Sequence, residues 1–228
     1  MSPLDKPRAP LLCYVTDRSL LAAEYPEARK LLSKKVMAAA AAGVDWIQVR
    51  EKDLSGRECS AVTREAIQIA VRSDEARPTH TRVLVNDRLE VALATQAGGV
   101  HLAEKSLPSQ EVCRLVKALH MEEDFLIGVS CHSLAAAKSA ERDGADYLFF
   151  GPVFATPSKA TYGAPQGLDR LAEVCRAVVL PVLAIGGITL ENVAACLSAG
   201  ASGIAAIHLF QDAPDMAAVV RSLRNCSA

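Results

Sequence analysis

Several features that would assign the chain to other protein classes are missing from its 228 residues. Positive and negative charges nearly cancel, to a net charge of −1. The chain therefore has neither the basic face typical of nucleic-acid-binding proteins nor an acidic tail. Its apolar runs are too short to cross a bilayer, and none follows the first ten residues as in a signal peptide. The sequence thus predicts no nucleic-acid partner and no membrane span.

Paired cysteine motifs are missing as well. The chain has seven cysteines, an odd number, and none of them forms a Cys-x-x-Cys motif. We interpret them as reduced thiols and expect a cytoplasmic protein. Half of the residues are apolar, which is enough for one large core and argues against disorder.

What the sequence does have is a repeated pattern of short apolar runs followed by longer stretches with helical spacing. The runs are Leu11–Val15, Trp46–Val49, Val83–Val85, Gly99–Leu102, Leu126–Val129, Tyr147–Phe150, Val182–Ile185 and Ile204–Ile207. The helical stretches include Ala28–Ala42, Glu58–Val71, Glu111–Leu119, Leu134–Asp143 and Leu168–Val178. Eight alternating units predict parallel strands in a single (β/α)8 TIM barrel over residues 1–228, with residues 1–10 as a flexible extension.

The loops that follow the strands carry the polar residues, and catalysis in such barrels occurs at that end. Alternation along the second strand places Gln48, Arg50 and Lys52 on one side, where two cations and an amide suit a phosphate or diphosphate. The alternative is a solvated strand end in which Glu51 pairs with Lys52.

A second anion site is predicted near Gly186 and Gly187, which follow the seventh strand. Thr189 is a plausible N-cap for a helix over residues 190–197, so that backbone N–H groups would face a phosphate. Ile207 and His208 follow the eighth strand, beside this loop. The longest irregular segment, residues 155–167, is interpreted as a mobile loop over the site.

Other strand ends offer further candidates. Asn86 and Asp87 suit Mg²⁺, although taken by themselves they are better explained as N-cap residues of the next helix. His132 can act as a general acid or base, or can be a hydrogen-bonded supporting residue. Cys131 is discounted as its partner nucleophile because adjacent strand residues point to opposite sides. His101 lies in an apolar strand and is expected to be packed.

At this point the chain resembles thiamine-phosphate synthase and the related thiazole tautomerase of thiamine metabolism, from about Tyr14 to Phe210. Eight motifs in family order carry the resemblance: residues 14–17 (YVTD), 48–52 (QVREK), 86–88 (NDR), 99–102 (GVHL), 128–133 (GVSCHS), 144–147 (GADY), 151–159 (GPVFATPSK) and 184–188 (AIGGI). The resemblance implies a barrel that joins hydroxymethylpyrimidine diphosphate to thiazole phosphate and releases diphosphate.

The resemblance also implies roles for individual residues. The pyrimidine diphosphate would be held by Gln48, Val49, Arg50, Glu51, Lys52, Asn86, Ser130 and Lys159. The thiazole phosphate would be held by Thr156, Pro157, Ser158, Gly187, Ile207 and His208. The residues expected to take part in catalysis are Arg50, Lys52, Ser130, His132 and Lys159. Asp87 would bind Mg²⁺.

Two positions depart from the family pattern. Ser106 stands where the family has a second Mg²⁺-binding Asp, and His208 stands where the family usually has Ser. Because Ser offers only a neutral oxygen, Mg²⁺ binding by Asp87 and Ser106 should be weakened. The alternatives are a metal-independent thiazole tautomerase that uses His132 as proton shuttle, a non-catalytic thiazole-phosphate-binding relative, and another phosphate-binding barrel. We favour the synthase, and a homo-oligomer is left open.

Overall fold

A computed structural model describes residues 9–76, 80–156 and 164–226. Eight parallel strands form a closed barrel in chain order, in which the last strand pairs with the first. The strands are β1 Leu11–Val15, β2 Trp46–Val49, β3 Arg82–Asn86, β4 Gly99–Leu102, β5 Leu126–Cys131, β6 Tyr147–Phe150, β7 Val182–Ile185 and β8 Gly203–Ala206. The predicted (β/α)8 barrel is confirmed. Residues 1–8 of the predicted flexible extension, residues 1–10, lie outside the described residues.

Helices connect the strands and surround the barrel. They are α1 Tyr25–Ala42, α2 Gly56–Ala76, α3 Leu89–Thr95, α4 Ser109–Ala118, α5 Leu134–Arg142, α6 Gly167–Ala177, α7 Val193–Ser198, α8 His208–Gln211 and α9 Met216–Arg224, with a 3₁₀ turn at Arg18–Leu20. The sequence pattern did not single out α3, α8 or α9. They span seven, four and nine residues respectively.

One predicted helix start is wrong. The helix after β7 begins at Val193, and Thr189 does not cap it. The backbone N–H of Thr189 instead donates to Asn192 Oδ1 at 2.9 Å, while Asn192 Nδ2 donates to the carbonyl of Gly187 at 2.8 Å. The side chain of Asn192 thus closes a turn before the helix, and the first helical residue moves three positions along the chain.

Large side chains fill the lower half of the barrel interior, where the lower end is the one at which the strands begin. Strand alternation directs one side chain in two inward, and these form a cluster separate from the outer core between strands and helices. The inner cluster contains Leu11, Cys13, Val15, Trp46, Leu84, Leu126, Tyr147, Phe149, Leu183 and Ala205. The interior is therefore closed from below, and a ligand can enter only where the strands end.

Carboxylates complete the backbone pairing at the lower rim. Asp45 Oδ2 accepts the N–H of Leu12 at 2.7 Å, and Asp146 Oδ2 accepts the N–H of Ile127 at 2.7 Å. Arg224 of α9 donates to Asp45 Oδ2 at 2.8 Å and to the carbonyl of Pro10. Burial raises the pKa of both carboxyl groups. The polar side chains of the lower rim therefore serve the fold.

All seven cysteines fall within the described ranges and are free thiols. In that part of the chain, no helix has the length and apolar character that a membrane crossing requires.

Candidate functional site

Four polar side chains form a row on the mouth side of the inner cluster. One comes from each of β2, β3, β4 and β5. Gln48 Nε2 donates to Asn86 Oδ1 at 2.9 Å. Asn86 is in register with His101 on the next strand, and His101 Nε2 lies 2.9 Å from Ser130 Oγ. We call these four residues, Gln48, Asn86, His101 and Ser130, the polar row. It brings together three predicted substrate-binding residues.

The polar row contains an unpaired buried acceptor. Gln48 is 2% exposed, and its Oε1 atom has no hydrogen-bond partner among the described residues. A buried polar atom without a partner costs about 1–3 kcal/mol. A ligand that brings a donor into the barrel mouth would remove this cost, so the arrangement favours a ligand with an N–H or O–H group at this depth.

His101 is packed, as its apolar strand predicts. It is fully buried beside Phe149, with ring centroids 4.0 Å apart, and burial lowers its pKa to about 3. Both of its ring nitrogens have partners, because Nδ1 lies 3.1 Å from the hydroxyl of Tyr147. The sequence did not single out Tyr147 as a partner, since the pairing joins strands that are not neighbours in the barrel.

Two cations lie above the polar row where β2 ends. Arg50 Nη1 is 3.4 Å from Asp17 Oδ2, and Lys52 is exposed beside it. The positive charge of Arg50, followed by partial burial, lowers the pKa of Lys52. Two cations close enough to affect each other suit a ligand that carries several negative charges. Their predicted roles in catalysis remain predictions.

The side chains of Val49 and Glu51, which flank Arg50 in the sequence, face elsewhere. Val49 packs into the outer core between strands and helices. The buried carboxylate of Glu51 accepts from Thr16 Oγ1 at 2.6 Å and from Arg18 Nη1 at 3.1 Å. The pairing of Glu51 with Lys52, considered from sequence, is therefore replaced by a pairing with Arg18. The side chains of Val49 and Glu51 serve the fold, so any ligand contact there would use their backbone.

The predicted metal residues offer one carboxylate. Asp87 has a positive φ of 62°, donates its N–H to the carbonyl of His101 at 2.8 Å, and accepts from the N–H of Ala103 at Oδ1, 3.3 Å away. Ser106 donates its N–H to Ala103. Within the described ranges no group of three His, Cys, Asp or Glu side chains could hold a metal. The set therefore fits Mg²⁺ only if phosphate oxygens of a ligand complete its coordination.

His132 lies on the opposite side of the mouth. Its backbone N–H donates to Glu104 Oε2 at 2.8 Å, and its Nδ1 contacts the carbonyl oxygen of Gly151 at 2.5 Å. Since a carbonyl only accepts, Nδ1 must carry the proton, which leaves Nε2 unprotonated in the neutral ring. The adjacent Cys131 is buried on the other face, and burial raises the pKa of its thiol to about 12. Discounting it as a nucleophile is therefore supported.

The loops after β6 and β7 touch each other. The N–H of Phe154 donates to the carbonyl of Gly186 at 3.0 Å. Gly187 has a φ of 67°, and an added Cβ would lie 2.7 Å from the carbonyl oxygen of Ala155. Thr156 follows in the same loop. Pro157, Ser158 and Lys159 lie outside the described residues, as does part of the predicted mobile loop, so their roles stay predictions.

Ile207 and His208 lie beside this pair of loops. Ile207 packs against the inner cluster, and His208 begins the four-residue helix α8. The Nδ1 atom of His208 is 2.9 Å from Asp212 Oδ2, and the ring is 54% exposed. The position is open enough for a phosphate, and protonated His208 would carry a positive charge there.

Gln211 is a supporting residue that the sequence did not reveal. Its side chain is buried, accepts from the hydroxyl of Tyr14 at 3.0 Å, and donates to the carbonyl of Asp17 at 2.8 Å. It thereby fixes the loop whose carboxylate contacts Arg50. No sequence pattern links these positions, because 194 residues separate Gln211 from Asp17.

Comparisons of the sequence and the structure with known proteins all indicate the same family. Residues 12–210 match the model of a family described as thiamine monophosphate synthase. A thiamine-phosphate synthase from Methanoculleus marisnigri is 44% identical over 82% of this chain and 83% of its own length. One from Methanocella arvoryzae is 40% identical over 93% and 92%. The solved thiamine phosphate pyrophosphorylase from Pyrococcus furiosus has a TM-score of 0.77 at 31% identity, over 94% of each chain.

Proposed function

The chain belongs to the thiamine monophosphate synthase family, and from that premise we propose that it is a thiamine-phosphate synthase. It joins hydroxymethylpyrimidine diphosphate to thiazole phosphate and releases diphosphate, which makes it a transferase of thiamine biosynthesis. The observation that best supports this reaction is the polar row with its unpaired Gln48 Oε1 beneath Arg50 and Lys52. A ring with a donor group and an anionic tail would satisfy both features at once.

In the proposed reaction the bond between the pyrimidine methylene carbon and the diphosphate oxygen breaks, and its electron pair leaves with diphosphate. The thiazole nitrogen then attacks the methylene carbon and forms the new C–N bond. Arg50 and Lys52, with Lys159 as a further predicted cation, stabilise the charge that develops on the leaving group. The closed lower half of the barrel keeps water from the reacting carbon on that side.

We propose that Asp87 holds Mg²⁺ together with oxygens of the diphosphate, and that Ser106 contributes at most a neutral oxygen. When bound, the metal neutralises charge on the leaving diphosphate. With a single carboxylate from the chain, Mg²⁺ should bind more weakly than to a site with two. The thiazole phosphate would bind at Thr156, Ser158, Gly187 and His208. Separately, the seven free thiols support a cytoplasmic location.

Thiazole tautomerase activity is the second candidate. It is favoured by the contact that holds His132 Nδ1 at the carbonyl of Gly151 and leaves Nε2 free to accept a proton. This activity would need no metal, which agrees with a site that supplies one carboxylate. It predicts turnover of a thiazole carboxylate phosphate without Mg²⁺ that is lost in His132→Ala.

A two-substrate assay separates the candidates. The purified protein is mixed with both phosphorylated precursors while Mg²⁺ is titrated from none to excess, and thiamine phosphate is measured. A synthase gives product that rises with Mg²⁺, and Ser106→Asp should lower the Mg²⁺ concentration required. Absence of product at every Mg²⁺ concentration, with metal-free turnover of the thiazole carboxylate phosphate, would assign the tautomerase instead.

A further inference from the structure

We propose that His101 is a positioning residue that fixes the direction of a hydrogen-bond chain from Tyr147 to Ser130, so that the Ser130 hydroxyl is left to donate to the substrate's anionic group. The proposal rests on the proposed function only in taking that group to be a diphosphate. Neither Tyr147 nor His101 needs to touch the substrate, because both act through Ser130.

The hydrogen-bond chain begins at Tyr147, whose hydroxyl is buried. Within the described part of the protein, its hydrogen-bond partner is His101 Nδ1, at 3.1 Å. A buried tyrosine O–H needs an acceptor, and here that acceptor is an unprotonated Nδ1. The single proton of the neutral imidazole must then be on Nε2, which donates to Ser130 Oγ at 2.9 Å.

The opposite direction fails at both ends. If Nδ1 carried the proton, it would donate to the Tyr147 oxygen and leave the tyrosine O–H buried without an acceptor. Ser130 would then donate its own proton to Nε2 and could only accept from a ligand. Such a hydroxyl would face a diphosphate with its lone pairs, which is unfavourable beside a group that also only accepts.

The packing leaves the imidazole one orientation. Its ring lies 4.0 Å from the Phe149 centroid, and the Tyr147 ring lies 4.5 Å from that of Trp46. Gly128 allows this arrangement, because a Cβ there would come within 2.1 Å of the Tyr147 ring. A 180° flip of the imidazole would place a ring C–H, in place of a nitrogen, against both the Tyr147 hydroxyl and Ser130 Oγ. The direction of the chain is therefore built into the barrel before any substrate arrives.

Ser130 is placed to use this direction. It is partly exposed, whereas His101 and Tyr147 are buried, so its hydroxyl is the end of the chain that reaches the barrel mouth. With its oxygen already accepting from His101, its own proton is free for the ligand. We expect the ligand atom it meets to be a negatively charged oxygen, as a diphosphate supplies.

The first test reads the tautomer of the wild-type protein. Nitrogen-15 NMR of histidine-labelled protein distinguishes a protonated from an unprotonated ring nitrogen without any substitution. We expect His101 to carry its proton on Nε2. A proton on Nδ1 would overturn the proposal. Because this measurement needs neither substrate nor turnover, it can fail or succeed independently of the synthase assignment.

The second test is a double-mutant cycle with inorganic diphosphate as the probe. Tyr147→Phe should weaken diphosphate binding about two- to tenfold, the effect of one net hydrogen bond. In the Ser130→Ala background the same change should have no further effect, because the hydroxyl through which Tyr147 acts on the ligand is then absent. Tyr14→Phe, which removes another buried tyrosine hydroxyl, is the control and should combine additively with Ser130→Ala. Additive effects of Tyr147→Phe and Ser130→Ala would mean that the Tyr147 hydroxyl acts independently of Ser130, and would overturn the proposal.

Discussion

The two ends of the barrel use polar side chains in different ways. At the lower rim, Asp45 and Asp146 each accept a backbone N–H from a neighbouring strand, so both complete the sheet. At the upper rim, Arg50 and Lys52 lie close together, and Gln48 Oε1 has no partner among the described residues. The lower rim is satisfied by the protein itself. The upper rim retains hydrogen-bonding capacity and positive charge that only a ligand can use.

The largest effect should come from removing charge at the upper rim. Arg50→Ala should lower kcat/KM for thiamine phosphate formation about 100-fold, because one group that stabilises the leaving charge is lost. The melting temperature should change little, since Arg50 is partly exposed and its contact with Asp17 is long at 3.4 Å. Steady-state kinetics and thermal unfolding measure the two effects.

Lys34→Ala is the matched control for this change, because Lys34 is an exposed cation on α1. It should leave both kcat/KM and the melting temperature near their wild-type values. If Arg50→Ala were as active as Lys34→Ala, the upper cations would not serve the reaction, and the contrast between the rims would lose its functional meaning.

The buried imidazole between the rims should make stability depend on pH. Burial lowers the pKa of His101 to about 3, below its ordinary value of 6.5. As pH falls below 6.5, the unfolded chain binds a proton that the folded protein excludes, so this histidine makes stability fall. The loss is about 1.4 kcal/mol per pH unit below 6.5, until the folded group also protonates.

Urea unfolding at pH 8, 6.5 and 5 measures this loss in the wild type and in His101→Gln. Whatever its stability at pH 8, the variant should lose about 2 kcal/mol less between pH 8 and pH 5 than the wild type does. Parallel curves for the two proteins would show that His101 is not the group responsible.

The smallest effects on activity should come from the lower rim. Asp45→Ala should reduce the free energy of unfolding by about 2 kcal/mol, because it leaves the N–H of Leu12 and part of Arg224 without an acceptor. Asp146→Ala should cost about 1 kcal/mol, since only the N–H of Ile127 loses its partner. Both variants should keep the wild-type kcat/KM. A tenfold loss of activity in either folded variant would contradict the division between the rims.

The sequence predicts features that depend on local order. Short apolar runs between helical stretches correctly indicated the eight strands. Alternation along β2 placed Gln48 on the same side as Trp46 of the inner cluster, because the side-chain period of a strand is local. The start of α7 could not be predicted as well, because Asn192 competes with Thr189 through a side-chain hydrogen bond that has no periodic pattern.

Pairings across the barrel were not predictable from the sequence. Arg18 meets Glu51 across 33 residues, and His101 meets Tyr147 across 46. Each depends on which side chains the closed barrel brings to the same height, which follows from strand register and closure. Such pairings decide which polar residues of the site are already engaged by the protein and which remain for a ligand.

The clasp formed by Arg224 has a practical consequence. By holding the carbonyl of Pro10, it brings the beginning of β1 and the end of α9 together beneath the barrel. A surface anchor attached at an exposed position near the end of α9, such as Ser222, would therefore lie on the side opposite the mouth. Immobilised in this way, the protein would present its open side to the solution.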